Sequence, residues 1–360
     1  MAEQATGGKV KIEALLEEVI KKDASDLHLQ FGLPPMLRVD GALVPVPETK
    51  PLGAKDLEEL IFYLLDDQQK EILLKDKEID FSFAFGDVGR FRVNAFHERG
   101  NLAAALRLIP VKIRTIEDLG LPKVLNDFTA FPRGLVLVTG PTGSGKSTTL
   151  ASMVDKINRE RKAHIITIED PIEYQHPHKS SILVQREVHF DTFSFGAALR
   201  SALREDPDVV LIGEMRDLET IAAAITIAET GHLVLATLHT NNAAQSIDRI
   251  IDVFPPHQQQ QIRVQLSSIL SGICSQRLIP MIGGGRIAAA EILVATPAVR
   301  NIIREGKTHQ LDAVIETGAD KGMQSMDKTL VGLIHAGKIT YEEAKNYAID
   351  IEQLDRLMRR

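Results

Sequence analysis

The spacing of hydrophobic residues changes near residue 110, and this change divides the chain into two regions. In the first region, apolar residues recur at helical spacing, and phenylalanines further along alternate with small or polar residues as in half-buried strands. This pattern is typical of an α+β domain whose sheet buries the phenylalanine face. The predicted elements are helices over about 12–20, 54–64 and 68–74, and strands around 81–85, 91–95 and 103–109.

From residue 134 onward, short apolar runs alternate with helical patterns. Apolar runs of this kind suit strands that are buried on both faces of a parallel sheet. Their alternation with helices predicts a doubly wound or RecA-like α/β domain. The predicted strands are 135–138, 164–168, 209–212 and 233–237, and the predicted helices include 195–204 and 218–229.

The composition narrows the class of protein. A chain of 360 residues exceeds the usual size of one hydrophobic core, so two domains are expected. A net charge of −7 and an aromatic content of 5% argue against nucleic acid as a partner. The sequence has no apolar run of about 18 residues and no apolar leader, so we expect a cytoplasmic protein without a transmembrane segment. The single cysteine, Cys274, is expected to be a buried small residue.

Residues 140–148 read GPTGSGKST and complete the pattern G-x-x-x-x-G-K-[ST] between a predicted strand and a predicted helix. The glycines allow successive N–H groups to point inward around an anion, and the helix start adds its positive dipole end. Lys146 is expected to reach the β- and γ-phosphates, and Ser147 to ligate Mg²⁺. The residues predicted to bind the nucleotide here are Gly140, Thr142, Gly143, Ser144, Gly145, Lys146, Ser147 and Thr148.

Acidic residues follow two of the predicted strands. Glu169, Asp170 and Glu173 come after the strand at 164–168, where ligand sites of open α/β sheets lie. In isolation this segment would be a turn with solvated acids, but beside a phosphate loop one carboxylate is expected to orient the attacking water or hold Mg²⁺-bound water. Glu214 follows the strand at 209–212, with Gly213 where an aspartate usually meets the metal. Glu214 is therefore predicted to position metal-bound water or to activate the nucleophile.

Two histidines and two arginines near these motifs are compatible with more than one role. His232 and His239 flank the strand at 233–237, and an extended chain of seven residues keeps them more than about 20 Å apart, so they cannot share a metal. We expect these histidines to sense phosphate or to contact a neighbouring subunit, and His239 fits such a role better than His232. Arg200 and Arg204 share one helix face. They form either a solvated ridge or a pair that neutralises phosphate charge.

The order of these motifs resembles the secretion-superfamily ATPases, which power type IV pili and type II secretion. In family terms, residues 140–148 match Walker A, 168–174 the Asp box, 209–214 an atypical Walker B and 230–240 the His box. The resemblance implies a small N-terminal α+β (PAS-like) domain over 1–110, a linker over 111–119, and a RecA-like P-loop ATPase domain with a helical C-terminal region over 120–360. The missing Walker B aspartate is then a trait of the family.

Residues 298–305, AVRNIIRE, resemble a signature of the twitching-motility retraction branch of this superfamily. Arg300 and Arg304 lie at i and i+4 and give this predicted helix a polar face, which is assigned to partner binding. A plain amphipathic helix is the alternative. Assembly and secretion branches typically carry a four-cysteine zinc loop, which a chain with one cysteine cannot form. The retraction branch is therefore favoured, with an assembly, secretion or accessory pilus ATPase as the alternative.

The resemblance further implies a homo-hexamer that uses ATP and Mg²⁺ and docks on the inner-membrane platform protein of the pilus machine. The chain would then be cytoplasmic and peripherally associated with that membrane. Arg92 and Arg107 match family arginines that approach the nucleotide from the N-terminal domain, with surface ion pairing as the alternative. Glu214 and Glu173 match the catalytic acids. An alternative of another class is a nucleotide-regulated scaffold with little hydrolysis.

Overall fold

The computed structural model describes residues 11–22, 24–39, 41–86, 89–109 and 113–359. The chain divides into two compact units, Met1–Lys112 and Ile113–Arg360. Residue 110, residues 111 and 112 of the predicted linker, and Asp87 of a predicted turn lie outside the described residues. None of the helices formed by the described residues has both the length and the apolar character needed to cross a bilayer.

The first unit is built on an antiparallel six-stranded sheet with the order β3-β2-β1-β6-β5-β4. Phe81 and Phe91 are buried on its inner face together with Leu15 and Leu16 of the first helix, as the alternation predicted. The predicted helices and strands are confirmed, while the three short strands β1–β3 were not resolved from the turn-rich sequence. Its elements are α1 (Ile12–Lys21), β1 (Asp26–Leu29), β2 (Met36–Val39), β3 (Ala42–Pro45), α2 (Ala54–Tyr63), α3 (Asp67–Asp76), β4 (Glu78–Phe85), β5 (Gly89–Glu98) and β6 (Asn101–Ile109).

The second unit is a RecA-like α/β domain around a seven-stranded sheet with the order β13-β12-β7-β11-β10-β8-β9. All neighbouring strands pair in parallel except β12 and β13. The elements are α4 (Val124–Ala130), β7 (Gly134–Thr139), α5 (Lys146–Glu160), β8 (His164–Glu169), β9 (Ile182–Glu187), α6 (Phe195–Ala202), β10 (Val209–Ile212), α7 (Leu218–Glu229), β11 (Leu233–Leu238), α8 (Ala243–Asp252), α9 (Pro256–Ile269), β12 (Leu270–Pro280), β13 (Arg286–Val294), α10 (Pro297–Glu305), α11 (Leu311–Thr317), α12 (Met326–His335), α13 (Tyr341–Tyr347) and α14 (Ile351–Met358).

The sheet of the second unit is buried on both faces, because successive side chains of its central strands enter two different apolar clusters. Leu135 and Leu137 of β7 pack on one face, and Val136 and Val138 pack on the other beside α5. This two-sided burial explains why these strands are continuous apolar runs. The parallel pairing of β7, β8, β10 and β11 brings their carboxyl ends together, where the predicted motifs lie.

The hairpin β12–β13 is the main feature of this unit that the sequence analysis did not predict. A helical region was expected toward the C-terminus, and helices α10–α14 do follow, but residues 270–294 extend the sheet beyond β7. Cys274 lies on β12 and is fully buried, as expected, and burial raises the pKa of its thiol to about 12. A thiol with that pKa is not a nucleophile at neutral pH.

Candidate nucleotide site

The loop from β7 to α5 has the backbone shape that its glycines predict. Gly140, Gly143 and Gly145 have φ angles of 144°, 77° and 89°, in the region that only glycine adopts readily. A Cβ on Gly140 would lie 2.3 Å from the carbonyl oxygen of Gln276, and one on Gly145 would lie 2.8 Å from its Nε2 atom. Backbone conformation and close packing therefore both require glycine at these two positions.

Lys146 is the first residue of α5, so its side chain starts at the positive end of the helix dipole. Its buried ammonium group donates to the carbonyl oxygens of Gly140, at 2.8 Å, and Pro141, at 3.1 Å. Burial lowers the pKa of Lys146, whereas the carboxylates of Glu214 and Glu173 act in the opposite direction. The lysine and these two acids are thus close enough to interact electrostatically.

Glu214 lies just beyond β10 and is held by two basic side chains. One carboxylate oxygen, Oε2, lies 2.7 Å from the guanidinium of Arg216, and Oε1 lies 3.3 Å from Nε2 of His239. Burial alone would raise the pKa of Glu214, but the bond from Arg216 and the charges of His239 and Lys146 hold it below its usual value. Glu214 is therefore ionised at neutral pH and oriented by its neighbours.

Gly213 occupies a tightly packed position at the end of β10. Its N–H donates to the carbonyl of Ile168 at 2.8 Å, and its carbonyl accepts from the hydroxyl of Thr237 at 2.5 Å. A Cβ here would lie 3.2 Å from both Cα of Glu169 and the carbonyl oxygen of Ile168. A side chain at this position would therefore have to displace the neighbouring strand by a few tenths of an ångström.

The three acids at the carboxyl end of β8 and just beyond it differ in environment. Glu169 accepts from the hydroxyl of Thr167 at 2.7 Å and from the amide of Gln185 at 3.2 Å, and burial raises its pKa to about 7. Asp170 and Glu173 are exposed. Glu173 is thus exposed and interacts with Lys146, whereas Glu169 is held by its protein neighbours.

The two histidines lie at opposite ends of β11, as the length of the predicted strand indicated. His239 follows the carboxyl end of β11 and contacts Glu214. His232 precedes the amino end of β11, where its Nδ1 lies 2.9 Å from the carbonyl oxygen of Ile227. The structure thus brings His239, but not His232, to the P-loop of the same chain.

Two of the predicted arginines, Arg200 and Arg107, form ion pairs within their own units. Arg200 forms an ion pair with Glu219 on α7, and Arg204 is exposed just after α6. In the first unit, Arg107 forms an ion pair with the buried Asp26 at 2.9 Å, and exposed Arg92 lies opposite Arg107 in the strand pairing. Their predicted contacts with nucleotide remain predictions.

Arg300 and Arg304 have different environments on α10. The guanidinium of Arg300 donates to the carbonyl oxygens of Ser267 and Ser268, both at 2.6 Å, and to that of Ala295 at 3.2 Å. Arg300 thus caps the carboxyl end of α9, and burial lowers its pKa. Arg304 is exposed. Arg300 is partly buried, so Arg304 is the more accessible of the two to a partner.

Comparison with known proteins decides the family. The model of the family described as Type II/IV secretion system protein matches residues 4–346. The chain belongs to this family. It is 52% identical to the type IV pilus retractation ATPase PilT of Pseudomonas aeruginosa over 94% of this chain and 98% of that protein. It is 49% identical to a twitching motility protein of Neisseria gonorrhoeae, over 93% of this chain and 89% of that protein.

A solved structure supports the same family. The crystal structure of the pilus retraction motor PilT with bound ADP matches this chain with a TM-score of 0.91 and 48% sequence identity. The match covers 96% of this chain and 99% of that one. The fold class predicted from the sequence, an N-terminal α+β domain followed by a RecA-like P-loop domain, is thereby confirmed for this family member.

Three residues of the site in this secretion-family chain escaped the sequence analysis. Arg216 orients Glu214. Because the two residues are only two positions apart, the sequence could have indicated this ion pair. The hydroxyl of Tyr174 lies 2.8 Å from that of Thr148, linking the segment beyond β8 to α5. Gln276 contacts the P-loop from β12. The last two contacts join distant parts of the sequence, so no local pattern indicates them.

Proposed function

We propose that this chain is an ATP-hydrolysing motor that powers type IV pilus retraction. The observation that carries the proposal is Glu214, an ionised acid held by Arg216 and His239 beside the P-loop lysine, Lys146. A protein that only binds nucleotide has no need for an oriented carboxylate at this place. The names of the close relatives, a pilus retraction ATPase and a twitching motility protein, support the biological role.

The residues present fit a bound nucleoside triphosphate with Mg²⁺. The glycine backbone of the P-loop supplies N–H groups to phosphate oxygens, and Lys146 supplies positive charge. Ser144 is buried, and its hydroxyl has no hydrogen-bond partner within the described part of the chain, which suits a loop that closes on a ligand. Mg²⁺ would be held by the hydroxyl of Ser147 and, through water, by Glu214, since both offer the oxygen ligands that this ion prefers.

Glu214 and Glu173 share the chemistry at the γ-phosphate in this proposal. The low pKa of Glu214 suits the orientation of the attacking water more than proton removal, because a weak base takes up a proton reluctantly. Glu173 is exposed and close to Lys146, and it is the second candidate for general base. His239 contributes by holding Glu214 in place.

The motor is proposed to work as a homo-hexamer docked on the inner-membrane platform protein. His232 contacts Ile227 and Arg200 pairs with Glu219 within their own chain, and Arg204 is exposed, so we propose that these three residues act at the nucleotide of a neighbouring subunit. Arg92 and Arg107 would approach the nucleotide from the first unit. ATP binding then favours one arrangement of the two units and hydrolysis releases it, so differential affinity for the two arrangements supplies the work.

Substitution Glu214→Gln tests the proposal, because it keeps the shape of the side chain and removes its charge. ATP turnover is expected to fall by about 10²–10⁴, while ADP binding persists. Glu342→Gln, at an exposed position at the start of α13, is the matched control and should leave turnover unchanged. The mass in solution is expected near six times the 39.7 kDa of one chain. Unchanged turnover in Glu214→Gln, or a monomer at every nucleotide concentration, would contradict the proposal.

A further inference from the structure

We infer that Gln276 is a positioning residue of the nucleotide site, an inference that rests on the function proposed above. Its side-chain amide holds the P-loop in the shape that binds phosphate. Gln276 lies on β12, which runs parallel to β7, and the pairing of Ser275 with Thr139 places it beside Gly140, where the P-loop begins. The side chain is almost fully buried.

The side-chain amide of Gln276 makes one hydrogen bond to the P-loop before Lys146 and one to helix α5 after it. Its Nε2 donates to the carbonyl oxygen of Ser144 at 2.8 Å, and its Oε1 accepts from the hydroxyl of Thr149 at 2.7 Å. The orientation of the amide follows from its partners, because a carbonyl only accepts. Since Thr149 is buried in α5, the glutamine ties the loop and the helix to one strand.

The bond to Ser144 controls the direction of a phosphate-binding group. The peptide between Ser144 and Gly145 is planar, so its carbonyl and N–H point in opposite directions. Because Gln276 holds the carbonyl toward β12, the N–H of Gly145 points to the other side of the loop. Gly145 has no side chain to restrict this peptide, so without the glutamine the N–H would be free to rotate away from an anion.

Gln276 also packs closely against two glycines of the loop. A Cβ on Gly140 would lie 2.3 Å from its carbonyl oxygen, and a Cβ on Gly145 would lie 2.8 Å from its Nε2 atom. Gln276 therefore contacts the loop near both of its ends. Asparagine would be too short to span from β12 to the loop, and glutamate would present an oxygen acceptor to the carbonyl of Ser144. Glutamine is the residue that satisfies both partners.

Measurement of ADP affinity by calorimetry tests this role with the full-length protein. In Gln276→Ala, the dissociation constant for ADP and the KM for ATP should rise about tenfold, while kcat at saturating ATP changes less than threefold. Gln324→Ala is the matched control. Gln324 donates to the carbonyl of Ala290, the residue paired with Gln276 on β13, without touching the P-loop. It should alter thermal stability without altering ADP affinity.

The variant Gln276→Glu provides a second test that preserves side-chain volume. At pH 8 it should bind ADP at least as weakly as the alanine variant, because a carboxylate cannot donate to Ser144. As the pH falls toward 6, the ratio of its dissociation constant to that of the wild type should narrow, because a protonated carboxyl group can donate. A constant ratio, or an ADP affinity of Gln276→Ala within twofold of Gln324→Ala, would overturn the inference.

The same measurements separate this inference from the proposed function. If the wild type does not bind ADP, or if Lys146→Ala binds ADP as tightly as the wild type, the assignment of the nucleotide site is wrong. If the wild type binds ADP and Lys146→Ala does not, an effect of Gln276→Ala equal to that of Gln324→Ala removes only the positioning role.

Discussion

Replacement of Gly213 by aspartate tests whether tight packing explains the missing acid at the end of β10. A Cβ at this position would lie 3.2 Å from Cα of Glu169 and 3.2 Å from the carbonyl oxygen of Ile168. Both contacts are with backbone atoms of β8, and the hydrogen bonds of Gly213 to Ile168 and Thr237 prevent the strand from moving away. The added side chain must therefore strain the sheet.

The magnitude follows from the packing and the charges. Adding one methyl group to a site this tight costs about 1–3 kcal/mol, which is the expected effect of Gly213→Ala. The aspartate carboxylate would adjoin the ionised Glu214, and their repulsion across several ångströms adds about 1–3 kcal/mol. A unit of this size loses roughly 2–4 °C in melting temperature per kcal/mol.

Thermal unfolding followed by circular dichroism measures the difference directly. Gly213→Ala should lower the melting temperature by several degrees, and Gly213→Asp should lower it by at least twice as much. ATP turnover should not increase in either variant, since Glu214 is already in place. An aspartate variant that melts with the wild type and hydrolyses ATP faster would show that the site has room for a second acid, and the packing argument would be refuted.

Three further predictions concern stability. Gly272→Ala should destabilise the protein by about 1–3 kcal/mol or more, measured by urea unfolding, because its Cβ would lie 2.1 Å from the ring of buried Phe128. The free energy of unfolding of Glu169→Gln should increase relative to that of the wild type as the pH rises from 4.5 to 7, by at most about 3 kcal/mol. A difference between the two proteins that does not change with pH would contradict the raised pKa of Glu169. Arg300→Ala should lower the melting temperature by uncapping α9, whereas Arg304→Ala should leave it unchanged, and equal effects would count against the cap.

The sign of the predicted pH dependence follows from the pKa of Glu169, which is higher in the folded than in the unfolded state. Its pKa in the folded protein, about 7, exceeds the value of 4.5 for an unperturbed side chain. Between these two values the folded state binds more protons than the unfolded state, so the stability contributed by this group is present below pH 4.5 and is lost as the pH rises to 7. Glutamine does not titrate, so the variant lacks this loss.

The elements that local patterns specify were predictable. A continuous apolar run before a glycine-rich loop indicated β7 and the P-loop, because both the burial and the backbone angles depend on residues next to one another. The separation of His232 and His239 followed from the rise of an extended strand. Placement of Glu214 beside Lys146 followed from the common edge at which parallel strands end.

The properties that depend on distant contacts were not predictable. Nothing in the sequence of Glu169, Asp170 and Glu173 distinguishes the acid that is desolvated from the two that are exposed. Arg300 shows helical spacing with Arg304, but its partners are the last carbonyls of a different helix. The strand β12 carries serine, glutamine and arginine among its apolar residues, so its pattern did not indicate an interior strand.

The position of β7 in the sheet has a consequence for how this protein is made. Both of its neighbours, β11 and β12, come from much later in the chain, and Gln276 is 132 residues beyond Ser144. While the chain emerges from a ribosome, the P-loop strand therefore exists for many seconds as an apolar segment with both edges unpaired. Such segments are prone to aggregate and to require a chaperone. Synthesis that stops before β12 would yield a chain that contains the complete Walker A motif but lacks the strand that holds the P-loop in place.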